Sequence, residues 1–118
     1  MNFIETEIED LYIVELNKIG DERGFFARAW CEKEFSDKNL VSRMVQANTS
    51  YSKDKGTLRG LHYQVSPHQE AKLMRCIKGA IFDVAVDLRL DSKTYKKWFG
   101  IELTESNRNM LFIPQGFA

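Results

Sequence analysis

Apolar and polar residues alternate along this chain in short runs, and turn-forming residues interrupt the runs at close intervals. Leu11-Tyr12-Ile13-Val14-Glu15-Leu16 is rich in β-formers and predicts a strand. Residues 17–24 predict a polar loop with glycines at Gly20 and Gly24. Residues 25–30 alternate large apolar side chains with small or charged ones, the pattern of a half-buried strand. Residues 31–39 carry charges around Phe35 and predict a short helix ending near Asn39. Residues 41–51 alternate so that Gln46, Asn48 and Ser50 share one strand face. After a turn at Asp54-Lys55-Gly56, residues 58–63 predict another strand, with Gly60 marking a bend or a close backbone approach. Residues 72–77, the turn Lys78-Gly79 and residues 81–88 predict a hairpin. In its second limb Asp83 and Asp87 fall on one face, while Phe82, Val84 and Val86 share the other. A polar connection over 89–97, a strand over 98–103, a turn over 104–108 and a last strand over 109–113 complete the pattern. Many short strands with regular turns predict an all-β sandwich or barrel.

Composition narrows the function classes. The 118 residues fit one domain, and the 43% that are hydrophobic suffice for a core of ordinary size. Seventeen basic residues balance seventeen acidic ones. Zero net charge argues against a nucleic-acid binder that works by its bulk field, although a local basic pocket is compatible with it. The apolar runs are far shorter than the roughly 20 residues of a membrane helix, so neither nucleic acid nor membrane is an expected partner. The acidic start, Met1-Asn2-Phe3-Ile4-Glu5-Thr6-Glu7, does not read as a secretory signal. Cys31 and Cys76 stand alone and read as buried thiols of a cytoplasmic protein rather than as a disulfide.

Chemistry concentrates in Gly56-Thr57-Leu58-Arg59-Gly60-Leu61-His62-Tyr63-Gln64, followed by Lys72. A histidine can move a proton near neutral pH. A lysine can hold a developing oxyanion, and an arginine can grip a phosphate or carboxylate. Each has a plainer explanation: a satisfied strand histidine, a solvated lysine, an exposed ion pair. Three such groups on neighbouring inner strands would be costly unless the barrel held something polar. A second constellation is Asp21-Glu22-Arg23-Gly24-Phe25-Phe26, where Arg23 could meet a phosphate and Phe26 could stack on a base. Phe25 reads as core. Gln46 and Asn48 either face solvent or line a polar cavity. His68, beside Pro67, reads as surface. A metal site is not expected, because His62 has no second histidine two residues on, where Gln64 stands.

Taken together, several strings resemble the dTDP-4-dehydrorhamnose 3,5-epimerases. They include Asp21-Glu22-Arg23-Gly24-Phe25-Phe26, Gln46-Ala47-Asn48-Thr49-Ser50, Leu58-Arg59-Gly60-Leu61-His62-Tyr63-Gln64, Lys72-Leu73-Met74-Arg75, and the run from Gly79 to Arg89. Phe112-Ile113-Pro114-Gln115-Gly116-Phe117-Ala118 completes the set. The resemblance implies a cupin-type jelly roll, usually dimeric, acting on a nucleotide-linked 4-keto-6-deoxyhexose without metal or other cofactor. It makes His62 the base that removes protons at C3 and C5, and places Lys72 near the enolate oxygen. Arg59 becomes a substrate-binding arginine and Arg23 a phosphate ligand. Phe26 stacks on thymine, and Gln46 and Asn48 contact the nucleotide side. Arg23 and Phe26 would reach the neighbouring subunit through an exchanged N-terminal strand of a homodimer.

Three departures qualify the resemblance. The family's tyrosine acid and the aspartate that orients its base have no matching position in residues 1–118. The expected reading is a fragment of a longer domain, its jelly roll incomplete at the C-terminus and its activity weak or nil. The alternative is a short form completed by oligomerisation. Arg28 stands where many members carry a glutamate near the nucleotide, and Glu70 where glutamine is common. Those two changes leave room for a single-site epimerase or ketoisomerase on another nucleotide sugar. A non-catalytic nucleotide-sugar-binding domain is the rival from another class.

Overall fold

A computed structural model describes the whole chain, Met1–Ala118. Eight strands and one short helix follow in the order β1 (Asn2–Glu5), β2 (Tyr12–Glu15), β3 (Ile19–Asp21), β4 (Gly24–Phe26), α1 (Glu32–Ser36), β5 (Lys72–Arg75), β6 (Ala80–Val86), β7 (Trp98–Thr104) and β8 (Met110–Ile113). A four-stranded antiparallel sheet has the order β1-β2-β8-β5, while β6-β7 and β3-β4 form separate two-stranded ribbons.

Register decides what each face of the large sheet buries. Ile13 lies opposite Leu111, Met74 opposite Leu111, and Lys72 opposite Ile113. Directly opposed residues share a face, so these side chains point the same way. Leu111 and Ile113 pack with Ala85 of β6, Leu103 of β7, and Ile8, Leu11, Cys76 and Phe117. This face therefore lies against the β6–β7 ribbon. The opposite face carries Val14, Met110 and Phe112, which pack on Phe35 of α1. Phe35 is fully buried, with Phe3, Trp30 and Phe112 rings at centroid distances of 5.0, 4.3 and 5.7 Å. Burying a side chain of that size contributes about 1.5–3 kcal/mol, which anchors a helix too short to be stable alone.

The end of β6 is tied to the end of the chain. Val86 and Ala118 exchange amide–carbonyl hydrogen bonds of 2.8 and 3.0 Å, and the Leu88 amide donates to the Gly116 carbonyl at 3.0 Å. Gly116 has φ +85°, and a Cβ there would stand 2.7 Å from Arg89 Cγ. Gly116→Ala should cost about 1–2 kcal/mol through its left-handed backbone, read as a lower urea midpoint with an unchanged slope.

The all-β, cupin-type jelly-roll expectation holds, and several elements fall where the pattern put them. Others do not. Residues 41–51 and 58–63 form no strand, because residues 41–64 make no backbone–backbone hydrogen bond in this chain. Alternation supplies a strand's faces, whereas a ladder needs a partner. The expected hairpin between 72–77 and 81–88 is replaced by β5 pairing with β8 and β6 with β7. Strand β3 occupies part of the expected polar loop, β4 stops at Phe26, and β1 was not foreseen. Phe25 is not core: its ring is exposed, with Lys18 and Arg108 cations 5.2 and 5.1 Å from its centre. Both cysteines are free, but only Cys76 is buried; Cys31 is half-buried.

Candidate active site

Lys72 opens β5 on the face that looks toward β6–β7, with its side chain 26% exposed. Its ammonium lies 3.3 Å from Glu70 Oε1 and 3.5 Å from the His62 carbonyl oxygen. His62 is thereby placed beside the only lysine that enters the space between the sheets from β5. Gly60 explains the turn of chain that presents it. With φ +101°, a Cβ at Gly60 would come 3.3 Å from His62 Nδ1, so the bare backbone lets the imidazole lie close.

The same open segment carries the other polar candidates. Gln46 donates through Nε2 to Asn48 Oδ1 at 3.1 Å, so the two amides point to one side although no strand holds them. Arg59 is tied by Nε to Ser52 Oγ at 3.1 Å and by Nη2 to the Tyr51 carbonyl at 3.0 Å. These bonds pin Arg59 to the Ser52 side chain and the Tyr51 backbone. It does not stand on an inner strand as the pattern predicted. All four of Gln46, Asn48, Arg59 and His62 are exposed. His68 is also exposed, as expected.

Arg23, Phe26 and Arg28 lie apart from this group in their interactions. Arg23 sits in the turn of the β3–β4 ribbon and chelates Asp21, with contacts from 2.5 to 3.2 Å. That hydrogen bonding holds the Asp21 carboxyl below its ordinary range and raises the guanidinium. Phe26 is 76% exposed. Arg28 bonds Glu34 Oε1 of α1 at 2.7 Å, and the N-terminal ammonium takes Glu34 Oε2 at 2.5 Å. Those two cations keep the Glu34 carboxyl low. No hydrogen bond or ion pair joins Arg23 or Arg28 to His62 or Lys72.

One residue of consequence was not picked out from the pattern. Asp83 of β6 lies opposite Ile101 of β7 and on the same face as the buried Ala85, so it points into the space that Lys72 enters. Its Oδ2 is buried without a hydrogen-bond partner. Burial pushes its carboxyl up, against the Val84 amide and the Lys72 charge, which pull it down. The signal in the sequence was the shared face of Asp83 and Asp87, but not which way that face turned. No group of three or more His, Cys, Asp or Glu side chains gathers as a metal-ligand set. No helix is long and apolar enough to cross a membrane.

Antiparallel sheets packed face to face around a shared apolar core, in an almost wholly β chain, define a cupin-type jelly roll. Known proteins carry the identification further. The sequence profile of dTDP-4-dehydrorhamnose 3,5-epimerase matches residues 5–118. The chain is 48% identical over 120 residues to the dTDP-4-dehydrorhamnose 3,5-epimerase of Shigella flexneri, covering all of this chain and 65% of that protein. The structure is similar to that of the Bacillus anthracis enzyme with TDP and PPi bound, with a TM-score of 0.92, 42% identity, and coverage of 99% and 67%. It is also similar to the Legionella pneumophila enzyme in complex with dTDP-4-keto-L-rhamnose, with a TM-score of 0.89, 45% identity, and coverage of 99% and 62%. The chain belongs to the dTDP-4-dehydrorhamnose 3,5-epimerase family. It spans less than two thirds of the length of curated relatives such as the Shigella flexneri enzyme.

Proposed function

We propose that residues 1–118 form the N-terminal and central part of one cupin-like epimerase domain and supply the base side of its active site. The substrate is a nucleotide-linked 4-keto-6-deoxyhexose of the dTDP-4-dehydro-6-deoxyglucose type, converted to the dTDP-4-dehydrorhamnose type for dTDP-rhamnose and polysaccharide precursors. The observation that carries this reading is the placement of the Lys72 ammonium against the His62 backbone at the mouth of the space between the sheets. His62 removes the proton at C3, and then at C5, because the C4 carbonyl accepts the electron pair as an enolate. Lys72 neutralises that oxygen. Inversion is completed by an acid on the opposite ring face. Arg59 binds substrate, while Gln46 and Asn48 contact its nucleotide side.

Arg23, Phe26 and Arg28 act in a second subunit of a homodimer in this proposal. The exposed β3–β4 ribbon, with Ile19, Phe25 and Phe26 uncovered, supports an exchanged N-terminal hairpin. The exposed Phe26 ring is free to stack on a base, and Arg23 would leave Asp21 for the diphosphate. Such an enzyme acts in the cytoplasm, with no resident cofactor.

The test is solvent-deuterium uptake into the 4-keto sugar. The 118-residue chain is expected to show little or none. A chimera that joins it to the portion of the Shigella flexneri relative it does not span should exchange at both C3 and C5. A folded chimera that exchanges at neither position would overturn the proposal. Uptake at one position only would favour a single-site epimerase. In the active chimera, Lys72→Ala should lower kcat about 10²-fold, the scale of one lost oxyanion contact.

A further inference from the structure

The chain contains a buried carboxylate oxygen with no partner, and a nearby lysine held by a different carboxylate. Asp83 Oδ2 sits inside, between the two layers, without a hydrogen bond. An unpaired buried polar atom is costly and calls for a partner. Lys72 enters the same space from the opposing sheet, yet in this structure its ammonium is on Glu70 Oε1 at 3.3 Å, at the rim. Glu70 is half exposed at its side chain, so that pair is worth at most about 1 kcal/mol.

We infer that Lys72 has two carboxylate seats, Glu70 at the rim and Asp83 inside, and that Asp83 is a positioning residue that draws the ammonium inward. The surroundings of Asp83 leave Lys72 as its natural counterion. Across β7 it meets the apolar Ile101, while Glu102 falls on the other face. From the large sheet it meets the face of Lys72 and Met74. His62 contributes its backbone carbonyl to Lys72 and no bond to Asp83. On the rim seat Lys72 is screened by water and by Glu70. On the inner seat it would lie in a drier place, where a positive charge acts more strongly on a developing oxyanion. The catalytic consequence rests on the reading of Lys72 as the enolate's partner; the two seats do not.

The experiment follows the Asp83 carboxyl by carbon NMR through a pH titration of the whole chain. Glu70→Gln removes the rim seat, so Lys72 should move inward and lower the Asp83 midpoint by about one pH unit, the low end for an opposite charge at close range. Lys72→Met should raise the midpoint, and Glu70→Gln added to Lys72→Met should then have no further effect. The inference is overturned if Glu70→Gln leaves the Asp83 midpoint where it was. It is equally overturned if Glu70→Gln moves the midpoint as much without Lys72 as with it. Asp83→Asn, which keeps the shape, gives a second check: it should shift the Lys72 ammonium signal more in Glu70→Gln than in the wild-type chain. No shift in that background is also a refutation. A chimera inactive in deuterium exchange with these titrations intact would remove the catalytic reading alone.

Discussion

His62→Ala should reduce deuterium uptake at C3 of the 4-keto sugar by about 10³-fold in the chimeric enzyme, within the range of a lost general base. The expectation rests on position. The imidazole lies against the bare backbone of Gly60, and its carbonyl touches the lysine that would hold the enolate. Its side chain makes no hydrogen bond within the chain and is exposed. Removing it therefore leaves no buried group unsatisfied, and the urea midpoint should hold within about 0.5 kcal/mol, as for other surface changes. Free imidazole added to the variant should restore part of the exchange, because a missing base can be supplied from solution while a collapsed loop cannot. Exchange at the wild-type rate would show that another group takes the proton. Gly60→Ala should disturb the same step more mildly, since its Cβ would press on Nδ1 and its φ of +101° would be strained.

Local pattern exposed the elements whose signal is local. The run from Leu11 to Leu16 contains β2, and the charged stretch around Phe35 contains α1. Pairing is non-local and was not legible: nothing in residues 72–77 says that their partner is Met110–Ile113 rather than the next run along. The segments 41–51 and 58–63 have strand alternation and extended polar character, yet a strand exists only where another backbone accepts its hydrogen bonds. The sharpest misdirection is β6. Phe82, Val84 and Val86 look like the inward face, but Ala85 and Asp87 are the fully buried residues. Asp87 lies inside because Arg89, Ser92 and Thr94 satisfy its carboxylate. Motif resemblance named His62, Lys72 and Arg59 as candidates; the structure brings Lys72 to the His62 carbonyl and leaves Arg59 bonded to Tyr51 and Ser52. The pairing of Lys72 with Glu70 and the solitary oxygen of Asp83 depend on the tertiary packing and have no signature in the local pattern.

Asp87→Asn should destabilise the chain by about 3 kcal/mol, the low end for breaking a buried charge pair. Asp87 has no exposed surface. Its Oδ1 accepts from the Arg89 amide and Nε, each at 3.0 Å. Its Oδ2 accepts from Arg89 Nη2 at 2.9 Å, Ser92 Oγ at 2.6 Å and Thr94 Oγ1 at 2.7 Å. Arg89 in turn reaches Asp10 at 2.8 Å and the Glu9 carbonyl at 2.9 Å, and lies 4.8 Å from the Phe117 ring centre. One carboxylate thus ties the N-terminal loop, the end of β6, the following connection and the chain's last residues together. The low end of the range applies because Arg89 is 26% exposed and water can serve part of its charge after the change. Burial alone would push the Asp87 carboxyl up, but the bonds from Arg89, Ser92 and Thr94 outweigh it and hold it well below its ordinary value. The sign follows: a depressed folded value stabilises the folded state at pH above the unfolded value of about 3.9, and that contribution is lost as pH falls from there toward the folded value. The stability difference between wild type and Asp87→Asn should be constant from about pH 5 to 8 and should shrink below about pH 4. Denaturant midpoints taken across that range check it, and a difference that grows on acidification would show that the carboxylate is not the species holding Arg89, Ser92 and Thr94.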